Sequence, residues 1–93
     1  MSSELHTFDV AKYLDNNEVI AEYLSQILED GDLNELLVAI GDIARAKGMT
    51  QIAKDTGLGR ESLYKTFSEN SKPRFDTIVK VLDSFGVKLQ ARA

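Results

Sequence analysis

The chain has 93 residues, 43% hydrophobic and 28% charged, proportions of one small globular domain with no room for a catalytic domain beside a binding domain. With no Cys, it lacks a disulfide framework and a thiolate zinc site, and with neither a signal-like N-terminus nor a membrane-length apolar run it is expected in the cytoplasm. The net charge of −4 conceals a split: residues 1–44 hold ten acids and one base, a balance of −9, and residues 45–93 hold ten bases and five acids, a balance of +5, which suggests two partners of opposite sign.

Apolar residues recur at three and four rather than two, and Pro73 is the single proline, so the chain reads as nearly all helix. Asp9 can cap a short turn through Val10 to Leu14. Asp15-Asn16-Asn17-Glu18 then offers a cap and a first-turn acid for a helix running to about Glu29. Val19, Ile20, Tyr23, Leu24, Ile27 and Leu28 form its apolar stripe, and Gly31 stands where a helix C-cap belongs. Asp32-Leu33-Asn34-Glu35 repeats the capping logic and opens a helix with Leu33, Leu36, Leu37, Ile40 and Ile43 on one face, closed by Lys47-Gly48. Gly41 inside that helix costs about 1 kcal/mol relative to Ala, which points to a close helix–helix approach at this position.

Met49 to Gly57 fits a two-turn helix closed by glycine, and Leu58-Gly59 makes a corner before a helix from Arg60 to Glu69. Asn70-Ser71-Lys72-Pro73-Arg74 reads as a polar loop. Phe75, Ile78, Val79, Leu82 and Phe85 stripe a last helix that stops at Gly86, and Val87 to Leu89 form a short extended tail.

Two short helices joined by a three- to four-residue turn containing glycine are the helix-turn-helix arrangement, whose second helix lies in the DNA major groove. Ala53, Gly57 and Leu63 stand four and six apart. A small residue permits a close crossing, a glycine takes the left-handed turn conformation, and an aliphatic side chain pins the second helix to the core.

From Arg45 through Leu89 the sequence resembles the phage-repressor (Cro/Xre-like) helix-turn-helix domain, with Ile52-Ala53, Gly57-Leu58-Gly59, Leu63, Phe67, Pro73 and the Ile78, Leu82 and Phe85 helix in corresponding places. A wider pattern, including Phe8-Asp9, Tyr23-Leu24, Gly31-Asp32, Ala39 to Ala46, Gly48-Met49-Thr50, Arg60 to Tyr64 and Pro73 to Thr77, is similar to the HigA-like addiction module antidote proteins from Phe8 to Leu89. The resemblance implies an all-α, five-helix, lambda-repressor-like DNA-binding fold, with the helix-turn-helix DNA-binding domain over residues 32–93 as one compact unit. It also implies that an acidic N-terminal helical extension, residues 1–31, contacts a toxin. As a family member the protein would be an antitoxin that neutralises a small basic RelE/ParE-superfamily (HigB-like) toxin and, as a homodimer on double-stranded operator DNA, represses its own operon. The pattern departs from the broad repressor group at Met49, where relatives place a phosphate-reaching Gln; Thr50 and Gln51 are the substitutes available.

By position, Arg60, Glu61, Tyr64 and Lys65 lie near the solvent-facing start of the second motif helix, opposite Leu63 and Phe67, and are the candidate base readers. Thr50, Gln51, Ser62, Ser68, Asn70, Lys72 and Arg74 flank that helix with hydroxyl, amide or cationic donors and are the candidate DNA-backbone contacts. Competing readings are simpler. Glu61 could pair with Lys65 at i,i+4, Tyr64 could pack on a neighbouring helix, and the acids from Glu4 to Glu35 could be a solvated face rather than a complement to a basic partner.

Enzymatic and cofactor readings find no support in the sequence. His6 is alone in the tail, Gly57-Leu58-Gly59 has Ser62 at the third glycine position of a dinucleotide fingerprint, and Asp30-Gly31-Asp32 lacks a calcium-ligand ladder. The remaining alternatives are a prophage-type transcriptional regulator without a toxin and a protein-interaction bundle that does not bind DNA. A dimer is expected because one recognition helix buries too little for tight specific binding. Its candidate surfaces are Val81 on the last helix and Val87 to Leu89 as an edge strand.

Overall fold

The computed structural model describes residues 16–68 and 70–92. The predicted turn from Val10 to Leu14, His6 and the predicted last helical residue Glu69 lie outside them. Among the described residues there are five α-helices and no strand: α1 (Asn17–Asp30), α2 (Leu33–Lys47), α3 (Met49–Thr56), α4 (Arg60–Thr66) and α5 (Phe75–Ser84). The all-helical expectation holds, and no described helix is long and apolar enough to cross a membrane.

The caps explain the boundaries. Asn16 Oδ1 accepts the Val19 N–H at 3.1 Å and Asp32 Oδ1 accepts the Glu35 N–H at 3.0 Å, satisfying first-turn donors that would otherwise lack a partner. Gly31 ends α1 in the left-handed conformation, φ 80°, with its N–H on the Ile27 and Leu28 carbonyls, a geometry that a side chain would strain.

Packing runs α1 on α2, α2 on α3, and α3 on both α4 and α5. Ile20, Leu24 and Ile27 of α1 enter the same buried cluster as Ile40 and Ile43 of α2, Ile52 of α3, Leu63 of α4, and Val81, Leu82 and Phe85 of the C-terminal part. The end of α5 meets the start of α1 and the end of α2: a Cβ at Gly86 would overlap the Asn17 side chain, and Lys47 Nζ lies 5.9 Å from the Phe85 ring centroid. Gly41 is the close approach its position predicts. A Cβ there would stand 3.0 Å from Phe67 Cβ and 3.2 Å from Phe67 Cγ, so the missing side chain lets the residue that ends α4 seat against α2.

Three expectations need correction. The helix from Arg60 stops at Thr66 because hydroxyls take up its last carbonyls: Ser68 Oγ donates to the Lys65 carbonyl at 2.7 Å and Ser71 Oγ to that of Thr66. Asn70, at φ 65°, then turns the chain away. Leu28, Leu33 and Phe75, assigned inward by periodicity, are 43%, 70% and 73% exposed; each sits at a helix end, where the neighbouring helix no longer covers the stripe. Conversely Val81 and Val87, the proposed dimer contacts, are buried. Val87 N–H bonds to the Leu82 carbonyl and Gly86 N–H to that of Asp83, a Schellman closure that turns Val87 into the core and leaves no edge strand.

Candidate nucleic-acid interface

The candidate interface lies at the corner between α3 and α4. Gly57 sits at φ 77° and its N–H bonds to the Ala53 carbonyl at 2.9 Å, the left-handed closure that the Ala53, Gly57 and Leu63 spacing predicts. Thr56 fixes the turn. Its hydroxyl donates to the Ile52 carbonyl at 2.8 Å and accepts the Leu58 N–H at 3.2 Å. This role is one that sequence inspection passes over, although a Thr before a C-cap glycine is placed to form such local bonds. Leu63 is wholly buried, Phe67 nearly so, and Ala53 and Leu58 are half-buried against the same cluster.

With Leu63 inward, the rest of α4 turns out. Arg60, Glu61, Tyr64 and Lys65 are all exposed, as are Ser62, Ser68, Asn70, Lys72, Arg74, Thr50 and Gln51. Exposure does not make these side chains equivalent. Arg60 lies along the helix surface over Tyr64, with its guanidinium carbon 5.7 Å from the ring centroid and Nη2 3.5 Å from the Tyr64 hydroxyl. Stacking of this kind at an exposed site is worth about 0.5–1 kcal/mol and holds a planar donor in one direction. No ion pair joins Glu61 to Lys65 among the described residues, and both side chains are exposed.

Several candidate backbone contacts are already engaged. Gln51 Nε2 donates to Asp55 Oδ1 at 2.8 Å, and the Ser68 hydroxyl is committed to the Lys65 carbonyl. Arg74 Nε donates to Asp76 Oδ1 at 3.1 Å, and this bond holds the Asp76 carboxyl below its ordinary range. Among the described residues Lys72 and Lys65 have no such partner. Lys54 is a further exposed cation, absent from the sequence-derived set although its i+4 spacing from Thr50 puts it on the same face of α3.

Met49 departs from the repressor pattern for a visible reason: it is buried in the core at the start of α3 and cannot reach outward, whereas Thr50 and Gln51 can. Among the described residues no group of three His, Asp or Glu side chains could hold a metal ion.

Residues 4–93 match the protein family described as "Probable addiction module antidote protein". The chain belongs to this antidote family. It is also similar to a Haemophilus influenzae (strain Rd) protein described as uncharacterized, 42% identical over 92 residues, which cover 99% of this chain and 95% of the relative. No solved structure matches at a significant level. The antidote expectation carried by the Phe8 to Leu89 pattern therefore holds at the level of the family. An antidote of an addiction module implies a toxin partner, and the two halves of this sequence carry opposite net charge.

Proposed function

We propose that the protein is the DNA-binding antitoxin of a type II toxin–antitoxin pair, HigA-like in organisation and without enzymatic activity of its own. In this reading α3, the Gly57-Leu58-Gly59 turn and α4 are a helix-turn-helix, and α4 enters the major groove of operator DNA. The observation that carries the reading is the pairing of a left-handed Gly57 with a fully buried Leu63, which turns Arg60, Glu61, Tyr64 and Lys65 outward together. Arg60, held over Tyr64, offers a bidentate fork suited to guanine O6 and N7. Lys65, Lys72 and Lys54 supply positive charge for phosphates.

Two copies would bind half-sites about 34–36 Å apart. With Val81 and Val87 in the core, the exposed Phe75 beside the Lys72-Pro73-Arg74 loop is the better anchor for that dimer. Toxin neutralisation, through a small basic RelE/ParE-superfamily protein, falls to the acidic N-terminal half. The same chain would then repress its own operon.

The test is a gel shift on the DNA upstream of its own reading frame, with the protein alone and together with the product of each flanking gene. Binding to that DNA should weaken about 10³-fold between 50 and 200 mM salt for six phosphate contacts. No salt-sensitive shift, with or without a partner, would sink the DNA-binding half of the proposal. A shift with no partner captured would instead favour a plain regulator.

A further inference from the structure

The α1–α2 hairpin carries apolar surface that its own core does not use. Leu28 and Leu33 stand on either side of the Gly31-Asp32 corner, and Val38, 58% exposed, lies on the outer side of α2. Single exposed aliphatic residues are ordinary on a protein surface. Here two flank the same tight corner, Leu28 at 43% and Leu33 at 70% exposure, whereas Val38, five residues beyond Leu33 and about 140° around α2 from it, belongs to another face.

The charges around them are of one sign. From Asn16 to Ala44 the sequence contains no Lys or Arg. Glu29, Asp30, Asp32 and Glu35 are all exposed at the corner, and Glu35 and Asp42 lie one turn from Val38 along α2. Burial, with the Asp42 and Glu35 carboxylates, pushes the Tyr23 phenol up, so the field of α2 is felt on α1.

This combination selects the kind of occupant. Nucleic acid is repelled by the carboxylates, and so is a second copy of the hairpin, because like charges would face each other across the contact. A cationic protein surface with apolar side chains of its own meets both needs: charge speeds encounter, and the leucine contacts buried on docking supply the residence time. The hairpin is also preorganised. Asn16, Asp32 and Gly31 cap its helices and Ile20, Leu24 and Ile27 anchor α1 in the core, so little ordering is needed on docking.

We infer that the α1–α2 corner, centred on Leu28 and Leu33 and rimmed by carboxylates, is the docking surface for a basic protein partner. The inference rests on the antitoxin reading, in which that partner is the toxin, and extends it from residues 1–31 onto the first turn of α2.

The experiment uses the full chain, tagged and co-expressed with the product of each flanking reading frame, and compares wild type with Leu28→Ser/Leu33→Ser. Both substitutions fall on exposed sites, and thermal unfolding followed by circular dichroism verifies that the fold is kept. The expected result is that one flanking product co-purifies with wild type, that the double variant binds it at least about tenfold more weakly, and that both shift upstream DNA alike. A double variant that holds the partner as wild type does overturns the surface and leaves the antitoxin reading standing. Wild type that elutes as a dimer, broken by the substitutions, makes a second copy the occupant and equally overturns it. Capture of neither flanking product removes the antitoxin reading itself, and this inference with it.

Discussion

The two halves of the molecule differ in surface and share an interior. The α1–α2 hairpin presents carboxylates and bare aliphatic side chains, whereas α3, α4 and the loop before α5 present cations, amides and hydroxyls. Beneath them lies one apolar cluster to which every helix contributes. Charge here therefore describes partners rather than fold. A chain of this size cannot support two cores, so the two binding functions proposed for it would share a single one, and damage to the core should not respect the boundary between them.

That sharing can be broken most severely at Leu63. Leu63→Ala removes a fully buried side chain from α4 and should lower stability by about 2–5 kcal/mol in urea unfolding, a large fraction of the 5–15 kcal/mol typical of a small domain. Hydrogen exchange should then rise in α1 as well as in α4, because Ile20 and Leu24 belong to the same cluster. Loss of protection confined to α4 would show two separately folding halves and end the comparison as drawn.

Within the basic half, Arg60→Ala and Lys72→Ala should differ in kind. The first removes the fork held over Tyr64 and should reduce discrimination between operator and mismatched DNA by about 1–3 kcal/mol. The second should weaken binding to all sequences alike and lower the salt slope by about one. Equal losses on every DNA from Arg60→Ala would remove its base-reading role.

Most of the helical framework was legible in the sequence because its signals are local. Asn16, Gly31, Asp32 and Gly57 each cap in the structure as their residue type suggests. The helix ends were less legible. Periodicity assigns Leu28, Leu33 and Phe75 to the core, but whether the end of a stripe is covered depends on where the next helix lies, which no local pattern contains. Val81 shows the converse: off the main stripe by spacing, it is buried because neighbours cover α5 over a wider arc than one stripe. For the candidate interface, spacing picked out the outward side chains of α4. It could not show that Gln51, Ser68 and Arg74 spend their polar atoms within the chain, since such bonds depend on rotamers.

Gly41→Ala joins the halves at a finer scale. Alanine favours the interior of α2 by about 1 kcal/mol, but its Cβ would press on the Phe67 Cβ at 3.0 Å, an atom fixed to the backbone at the end of α4. Overpacking of this kind costs about 1–3 kcal/mol, so the net change should be a loss of about 1 kcal/mol in urea unfolding, with weaker operator binding as α4 shifts. A gain in stability would show that α4 yields to α2 at no cost.

The smallest expected effect separates two roles of one acid. Asp32 caps α2 through the Glu35 N–H and also contributes one carboxylate to the rim of the proposed docking corner. Asparagine keeps the accepting oxygen and ranks with aspartate as an N-cap, giving up only the favourable interaction of a charge with the helix N-terminus, about 0.3–1 kcal/mol at low salt. Asp32→Asn should therefore unfold within a few tenths of wild type in 0.15 M salt, where that interaction is screened, yet associate more slowly with a basic partner. Asp32→Ala loses the cap as well and should fall by about 1 kcal/mol. If the Asn variant associates at the wild-type rate across a salt titration, the Asp32 charge serves the helix alone, and attraction of the partner must come from its neighbours Glu29, Asp30 and Glu35.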